Sequence, residues 1–307
     1  MVILVDERIP GAVEAFAALG EVRPFRDLPA SLGDAGVLVV RSATRIDAPL
    51  LERCPRLGAI ATPVIGTDHV DRAALEAYRR RTGRPIPLFN APGSTAGGVA
   101  DFALAALSHL ARAEGRALAD LRVGIWGFGN CGGALGMRLD RLGVRHADHD
   151  PPLAARSGGE FRSASLEELL ACDAVSLHVP LTRPGDDPWP THRMVSAGVL
   201  ARGPRILVNT ARGAVVDNAA LARAIDSGRV AAAVDVWEGE PTPDPALVER
   251  CALATPHAAG SVIEGRLRAT AMVVEAVREF LALPPRVAPP PRAPSDGAVD
   301  AGAARPP

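Results

Sequence analysis

The chain has 307 residues with a formal net charge of −1 and 48% hydrophobic content. That length supports two domains with a sizeable core, and the balanced charge argues against a nucleic-acid groove or an anionic membrane surface as partner. All 34 basic residues are arginine, which excludes lysine Schiff-base chemistry, chain-attached pyridoxal phosphate and a lysine-dependent phosphate loop.

Met1-Val2-Ile3-Leu4-Val5-Asp6 opens as a strand ending in an acid, without a basic leader region, and no apolar run reaches bilayer length. The expected location is the cytoplasm. Strands are predicted over Val2–Val5, Val37–Val40 and Leu57–Thr62, and helices over Gly11–Leu19, Pro49–Arg53 and Arg72–Arg81. This alternation predicts a parallel sheet covered on both faces. Asn90-Ala91-Pro92-Gly93 reads as a hinge-like turn before a long helix, Ala96–Ala113.

The next apolar run, Leu121–Trp126, leads into Gly127-Phe128-Gly129-Asn130-Cys131-Gly132 and a helical stretch from Ala134 to Leu142. Strand, G-x-G-x-x-G and helix in this order form a dinucleotide fingerprint. The glycines allow a tight turn, close approach of a pyrophosphate and close helix packing. Another apolar stretch ends at Asp150, placed to meet a ribose 2′-hydroxyl and to repel a 2′-phosphate, which favours NAD over NADP. Asp148 is its rival. Further strands are predicted over Ala174–His178, Arg205–Val208, Val230–Val236 and Leu253–His257, with a helix at Ala219–Ser227. A long amphipathic helix, Ile263–Leu283, is placed to cross back to the first domain. The expected organisation is a substrate domain (1–93 plus 266–284), a nucleotide domain (94–265) and a disordered Pro-rich tail (285–307).

Polar residues follow the strands of the second block, where doubly wound sheets bind ligands. Asn209-Thr210-Ala211-Arg212-Gly213, Asp235-Val236-Trp237-Glu238-Gly239-Glu240-Pro241 and Pro256-His257 bring an arginine, a carboxylate and a histidine to one sheet edge. Removing a hydride from a hydroxy acid needs a base for the hydroxyl proton, a carboxylate to orient it, and a cation for the substrate. His178 reads either as a crevice contact or as a buried group, and His109, His146 and His149 as surface or structural. No histidine pair has metal-ligand spacing. The four cysteines are widely separated and read as free thiols of a reducing compartment. Arg41, Ser42 and Arg45 follow a first-domain strand, either as an anion pocket or as a solvated basic loop.

Together these motifs resemble the D-2-hydroxyacid dehydrogenase family over nearly the whole chain to about residue 283. The resemblance implies two doubly wound parallel-sheet (Rossmann/flavodoxin-like) α/β domains with a cleft between them, NAD as cofactor, a small-molecule substrate and a homodimer. It implies Arg212 as the substrate-binding cation, Glu240 as the orienting acid and His257 as the proton donor and acceptor. Glu240 separates the chain from the formate dehydrogenases, which carry glutamine there. Gly127, Gly129, Asn130, Cys131, Gly132, Asp150, Val179, Thr210, Ala211, Asp235 and Gly260 are the expected cofactor contacts. Arg41, Ser42, Arg45, Val64, Gly66 and Ser261 are the expected substrate contacts.

Within the family, Ile3–Glu7, Val40–Arg45, Gly66–Asp71, Arg212–Asn218 and Ile263–Gly265 are most similar to a branch acting on a phosphorylated 2-hydroxy acid. That acid is 4-phospho-D-erythronate, on the route to pyridoxal phosphate. Val64 stands where that branch has threonine and Ser261 where it has tyrosine. Glyoxylate or hydroxypyruvate, 3-phosphoglycerate and, in a different class, a non-catalytic NAD-sensing binding protein therefore stay open as alternatives.

Overall fold

Alternation of apolar side chains along short strands decides how this chain layers. The computed structural model describes residues 1–185 and 187–283; the tail expected from Pro285 lies outside them. In the first unit β1 (Val2–Asp6), β2 (Glu21–Phe25), β3 (Ala35–Val39), β4 (Ala59–Ala61) and β5 (Leu88–Phe89) pair in the order β2-β1-β3-β4-β5, all parallel. Ile3, Val5, Val37, Val39, Ala59 and Ala61 share one core, and Leu4, Leu38 and Ile60 another, the period of two that a strand imposes. The Ile263–Phe280 helix covers the first face with Ala269, Val273 and Val277. Leu50, Leu51, Leu75 and Tyr78 cover the second.

The sequence pattern predicts no strand over residues 21–25, yet β2 forms there. Glu21, Arg23 and Pro24 are exposed, and an edge strand tolerates a proline because its outer side has no N–H to supply. Without an apolar alternation the strand carries little signal.

In the second unit β6 (Arg122–Trp126), β7 (Arg145–His149), β8 (Ala174–Leu177), β9 (Ile206–Asn209), β10 (Ala231–Val234) and β11 (Leu253–Ala254) pair in the order β11-β10-β9-β8-β6-β7, again all parallel. The Ala96–Ala113 and Asn130–Arg141 helices pack on Val123, Ile125, Ile206, Val208 and Ala233. Leu107 and Leu110 are fully buried in that layer and each contributes about 2 kcal/mol through lost apolar surface. Val175, Leu177, Leu207, Ala232 and Val234 face the opposite core. The Asn130–Arg141 helix begins inside the glycine motif, ahead of the predicted Ala134, because the glycines mask its first turn in a propensity reading.

Strand order reverses between β1 and β3 in one sheet and between β6 and β8 in the other. Ligands of doubly wound sheets bind outside the carboxyl ends of the strands at such reversals. Both sheets therefore offer a ligand edge.

Candidate active site

Backbone geometry at the end of β6 makes a cradle. Gly127 has φ +92°, in the left-handed region that favours glycine. A Cβ there would lie 2.7 Å from the His178 carbonyl oxygen and 2.8 Å from Val179 Cγ1. A Cβ on Gly132 would lie 1.9 Å from the Gly127 carbonyl oxygen, whereas at Gly129 nothing stands within 4 Å. The turn is closed underneath and open above. Gly129 caps the Asn130–Arg141 helix without a side-chain hydrogen bond, so its first N–H groups are available to an anion. These features fit the pyrophosphate of a dinucleotide. The Asn130 side chain abuts Gly93, where a Cβ would approach its Cγ to 3.0 Å. Cys131 is half-buried, and burial raises its thiol pKa.

Asp150 closes the cradle. Its Oδ2 accepts from the Phe128 N–H at 2.8 Å, and its Oδ1 accepts from Leu153 N–H at 2.8 Å, capping the Pro151–Arg156 helix. Each oxygen keeps a lone pair for a hydroxyl donor. Asp148 is engaged elsewhere: it pairs with His146 Nδ1 at 2.8 Å, and that hydrogen bond lifts His146 to about 9.

The histidine at the end of the sheet edge is pinned from two sides. His257 has φ +54°, an uncommon conformation for a side-chain-bearing residue. Its N–H donates to the Asp235 carbonyl at 2.7 Å. The buried Asp235 carboxylate holds the same loop, accepting from Thr255 Oγ1 at 2.6 Å, Ala258 N–H at 2.7 Å and Ala259 N–H at 3.1 Å. His257 Nδ1 lies 2.8 Å from Glu240 Oε2, and Glu240 Oε1 accepts from Trp237 N–H at 2.7 Å. The bond to Glu240 raises the His257 pKa against burial. Burial alone would raise Glu240, but the bonds from His257 and Trp237 N–H outweigh it and lower its pKa. A cavity of about 330 Å³ adjoins the pair, with Trp237, Pro241, Pro243 and Val248 in its wall. Nδ1 is thus committed to the carboxylate, which leaves Nε2 as the ring's exchangeable position.

Arg212 follows β9, its backbone set by Asn209, whose Oδ1 accepts from Ala211 N–H at 3.1 Å and whose Nδ2 donates to the Arg212 carbonyl at 3.1 Å. The guanidinium reaches the first unit. Nη2 and Nε donate to Asp68 Oδ2 at 2.8 and 3.1 Å, and Nη1 donates to the Ala211 carbonyl at 2.7 Å. The loop it meets is braced by Asn90 Nδ2 on the Ile65 carbonyl (2.7 Å), Ala91 N–H on the Val64 carbonyl (2.9 Å) and Thr62 Oγ1 against His69 Nε2 (3.2 Å). The Val64 N–H is occupied by the Thr62 carbonyl at 2.8 Å. His178 lies with Nε2 2.8 Å from Ser176 Oγ and Nδ1 3.4 Å from Thr210 Oγ1, and burial pushes it down to about 4, so the ring is neutral. Gly260 packs against Thr95, where a Cβ would lie 3.1 Å from Oγ1, and Ser261 is exposed.

At the edge of the first sheet Asp6, with a side chain of 0% exposure, accepts from Arg8 Nε at 2.9 Å and Arg41 Nε at 2.9 Å. Burial raises its pKa, and the two arginines overcome that to lower it. Around them lies a cavity of about 450 Å³ lined by Arg8, Arg26, Arg41, Arg45 and Arg53. Arg45 is 73% exposed and its acid neighbour, Asp47, stands 3.9 Å away. Ser42 is exposed on the same turn. Arg8, Arg26 and Arg53 lie outside the expected site residues; the signal for Arg26 is its position after β2, the strand with no apolar pattern.

No helix among the described residues is long and apolar enough to cross a membrane, and no group of three or more His, Cys, Asp or Glu there could hold a metal ion.

Residues 104–259 match the model of the D-isomer specific 2-hydroxyacid dehydrogenase NAD-binding domain. The chain is 46% identical to erythronate-4-phosphate dehydrogenase of Salinibacter ruber over 91% of this chain and 71% of that one. It is 45% identical to the enzyme of the same name from Azotobacter vinelandii, over 94% and 74%. Among solved structures it resembles D-lactate dehydrogenase of Aquifex aeolicus, complexed with NAD and lactic acid, with TM-score 0.72 and 25% identity over 92% of this chain and 96% of that one. The chain belongs to the D-isomer specific 2-hydroxyacid dehydrogenase family, as an NAD-dependent oxidoreductase.

Proposed function

We propose that this chain oxidises 4-phospho-D-erythronate to its 2-oxo acid, a step on the route to pyridoxal phosphate, as a cytoplasmic homodimer. The observation that carries the substrate is the arginine-lined cavity of the first sheet, one loop away from Arg212. The turn bearing Arg41 and Arg45 runs into Ile46, whose N–H donates to the His69 carbonyl at 2.9 Å, next to Asp68. A substrate held by its carboxylate at Arg212 would therefore extend its far end toward these arginines, which suit a phosphate. Relatives at 45–46% identity carry the name of that substrate.

Bound NAD would supply the hydride acceptor, and the protein's part is to place and deprotonate the alcohol. Arg212 holds the substrate carboxylate, with the Ile65 and Gly66 N–H groups and Ser261 around it; the Val64 N–H, bonded to the Thr62 carbonyl, is not free to join them. The C2 hydroxyl donates to His257 Nε2. As hydride leaves C2, the hydroxyl proton moves to Nε2, and Glu240 stabilises the resulting imidazolium through Nδ1–H. Arg45, with Ser42 and the share of Arg41 not spent on Asp6, takes the phosphate.

The glycine turn with Asn130 and Cys131 would hold the pyrophosphate, and Asp150 would meet the ribose and disfavour a 2′-phosphate. Val179, Thr210 and Gly260 would line the nicotinamide side, with Ala211 and Asp235 buried behind them and Asp235 holding the His257 loop.

NADH formation should be compared for 4-phospho-D-erythronate, D-erythronate, 3-phosphoglycerate, glycerate and D-lactate. Loss of a charged group that the site is built to bind should cost about 100-fold or more in kcat/KM, so the first should dominate. Preference for another acid would overturn the substrate and keep the reaction class. Silence on all of them with NAD still bound would favour an NAD-sensing binding protein.

A further inference from the structure

The Arg212 guanidinium makes its closest ion pair with a carboxylate of the other unit, and Gly66 makes room for it. A Cβ at Gly66 would lie 1.9 Å from Arg212 Nη2, so any side chain at 66 expels the guanidinium from its slot. Asp68, two residues on, accepts from both Nη2 and Nε through Oδ2. Arginine has five N–H donors. Asp68 takes one on Nε and one on Nη2, and the Ala211 carbonyl takes one on Nη1. One N–H therefore remains on each terminal nitrogen. The Nη1/Nη2 edge is the second fork of a guanidinium, with the spacing that receives a carboxylate in two parallel bonds.

We propose that Asp68 is a positioning residue: by holding the Nε edge of Arg212 across the cleft, it turns the remaining Nη1/Nη2 fork toward the substrate carboxylate. The inference rests on the reading of Arg212 as the substrate-binding cation. Half-burial of Asp68 raises its pKa, but Arg212 outweighs that and keeps it low, so the pair is charged at neutral pH. Because Asp68 belongs to the first unit and Arg212 to the second, the fork is oriented only while the units are together. Asp68 itself touches no reacting atom, and its effect passes through Arg212.

The test is a double-mutant cycle of Asp68→Ala and Arg212→Ala, with Asp68→Asn as the conservative variant. Two quantities are read: kcat/KM for 4-phospho-D-erythronate, and the Kd of oxalate, an unreactive dicarboxylate, in the NADH complex. NAD affinity and thermal midpoint serve as checks on folding; Asp68 is half-exposed, so its variants leave the core intact. Asp68→Ala should weaken oxalate and lower kcat/KM about 10- to 100-fold in the parent, and less than about twofold in Arg212→Ala. Asp68→Asn, which keeps an acceptor, should recover part of the loss.

Equal losses in both backgrounds, or none in the parent, would overturn the proposal. If Arg212→Ala itself left oxalate binding intact, the reading of Arg212 would fail first, and this inference with it.

Discussion

The two sheet edges that face ligands are built differently. At the edge of the second sheet the acid and the histidine are fixed by their own neighbourhood. Glu240 is held by Trp237 N–H, His257 by Glu240 and by the Asp235 carbonyl, and the whole loop by the buried Asp235 carboxylate. At the edge of the first sheet the buried anchor Asp6 fixes Arg8 and Arg41, while Arg45 and Arg26 stand 73% and 75% exposed, with the nearest acid no closer than 3.9 Å. Long side chains in water keep their rotamer freedom and give up little energy when altered. Under the proposed function, this difference would put proton transfer at the rigid edge and substrate choice at the adaptable one.

Breaking the rigid edge should have the largest effect. His257→Ala is expected to lower kcat about 10²- to 10⁴-fold, the usual contribution of a general base, with the NAD dissociation constant unchanged in a fluorescence titration. Loss of NAD binding alongside activity would reassign His257 to the cofactor. Glu240→Gln should cost about 100-fold, less than at a fully buried triad aspartate because the Glu240 side chain stays 35% exposed.

The pH profile sharpens the point. As the proposed base, His257 would have to be neutral to take a proton in the oxidation direction, and Glu240 holds its pKa above the usual value, so activity should fall as pH drops through that raised value. In Glu240→Gln the inflection should move down toward the ordinary histidine range of about 6.5. An inflection that does not move would mean another group titrates.

A smaller effect is expected at Asp150. Asp150→Ala should raise NADP use relative to NAD, read as the ratio of kcat/KM values, and should also cost about 1 kcal/mol of stability through the lost helix cap. An unchanged ratio with lowered stability would leave Asp150 as a cap and no more.

Much of this was legible in the sequence, for physical reasons that differ by residue. The glycine turn and the Arg212, Glu240 and His257 motifs are local: strand, turn and polar residue follow each other along the chain, and the parallel sheet gathers their ends on one edge. The partners of those residues are another matter. Asp68 lies 144 positions from Arg212, and only the packing of one unit on the other brings them together. Asp235 reads as a cofactor contact because it follows a strand, while its hold on the Thr255–Ala259 loop depends on the register of β10 against β11. Arg26 was hidden by β2, an edge strand with an exposed proline. His178, open between crevice and burial, is neutral and bound to Ser176 and Thr210.

The most direct test of the division between the two edges is the ratio of kcat/KM for 4-phospho-D-erythronate to that for D-erythronate, measured in the parent chain, in Arg45→Ala and in Glu240→Gln. The account predicts that Arg45→Ala reduces the ratio by about tenfold or more through the phosphorylated substrate alone, and that Glu240→Gln slows both substrates and leaves the ratio where it was. A ratio that survives Arg45→Ala, or one that collapses in Glu240→Gln, would contradict it.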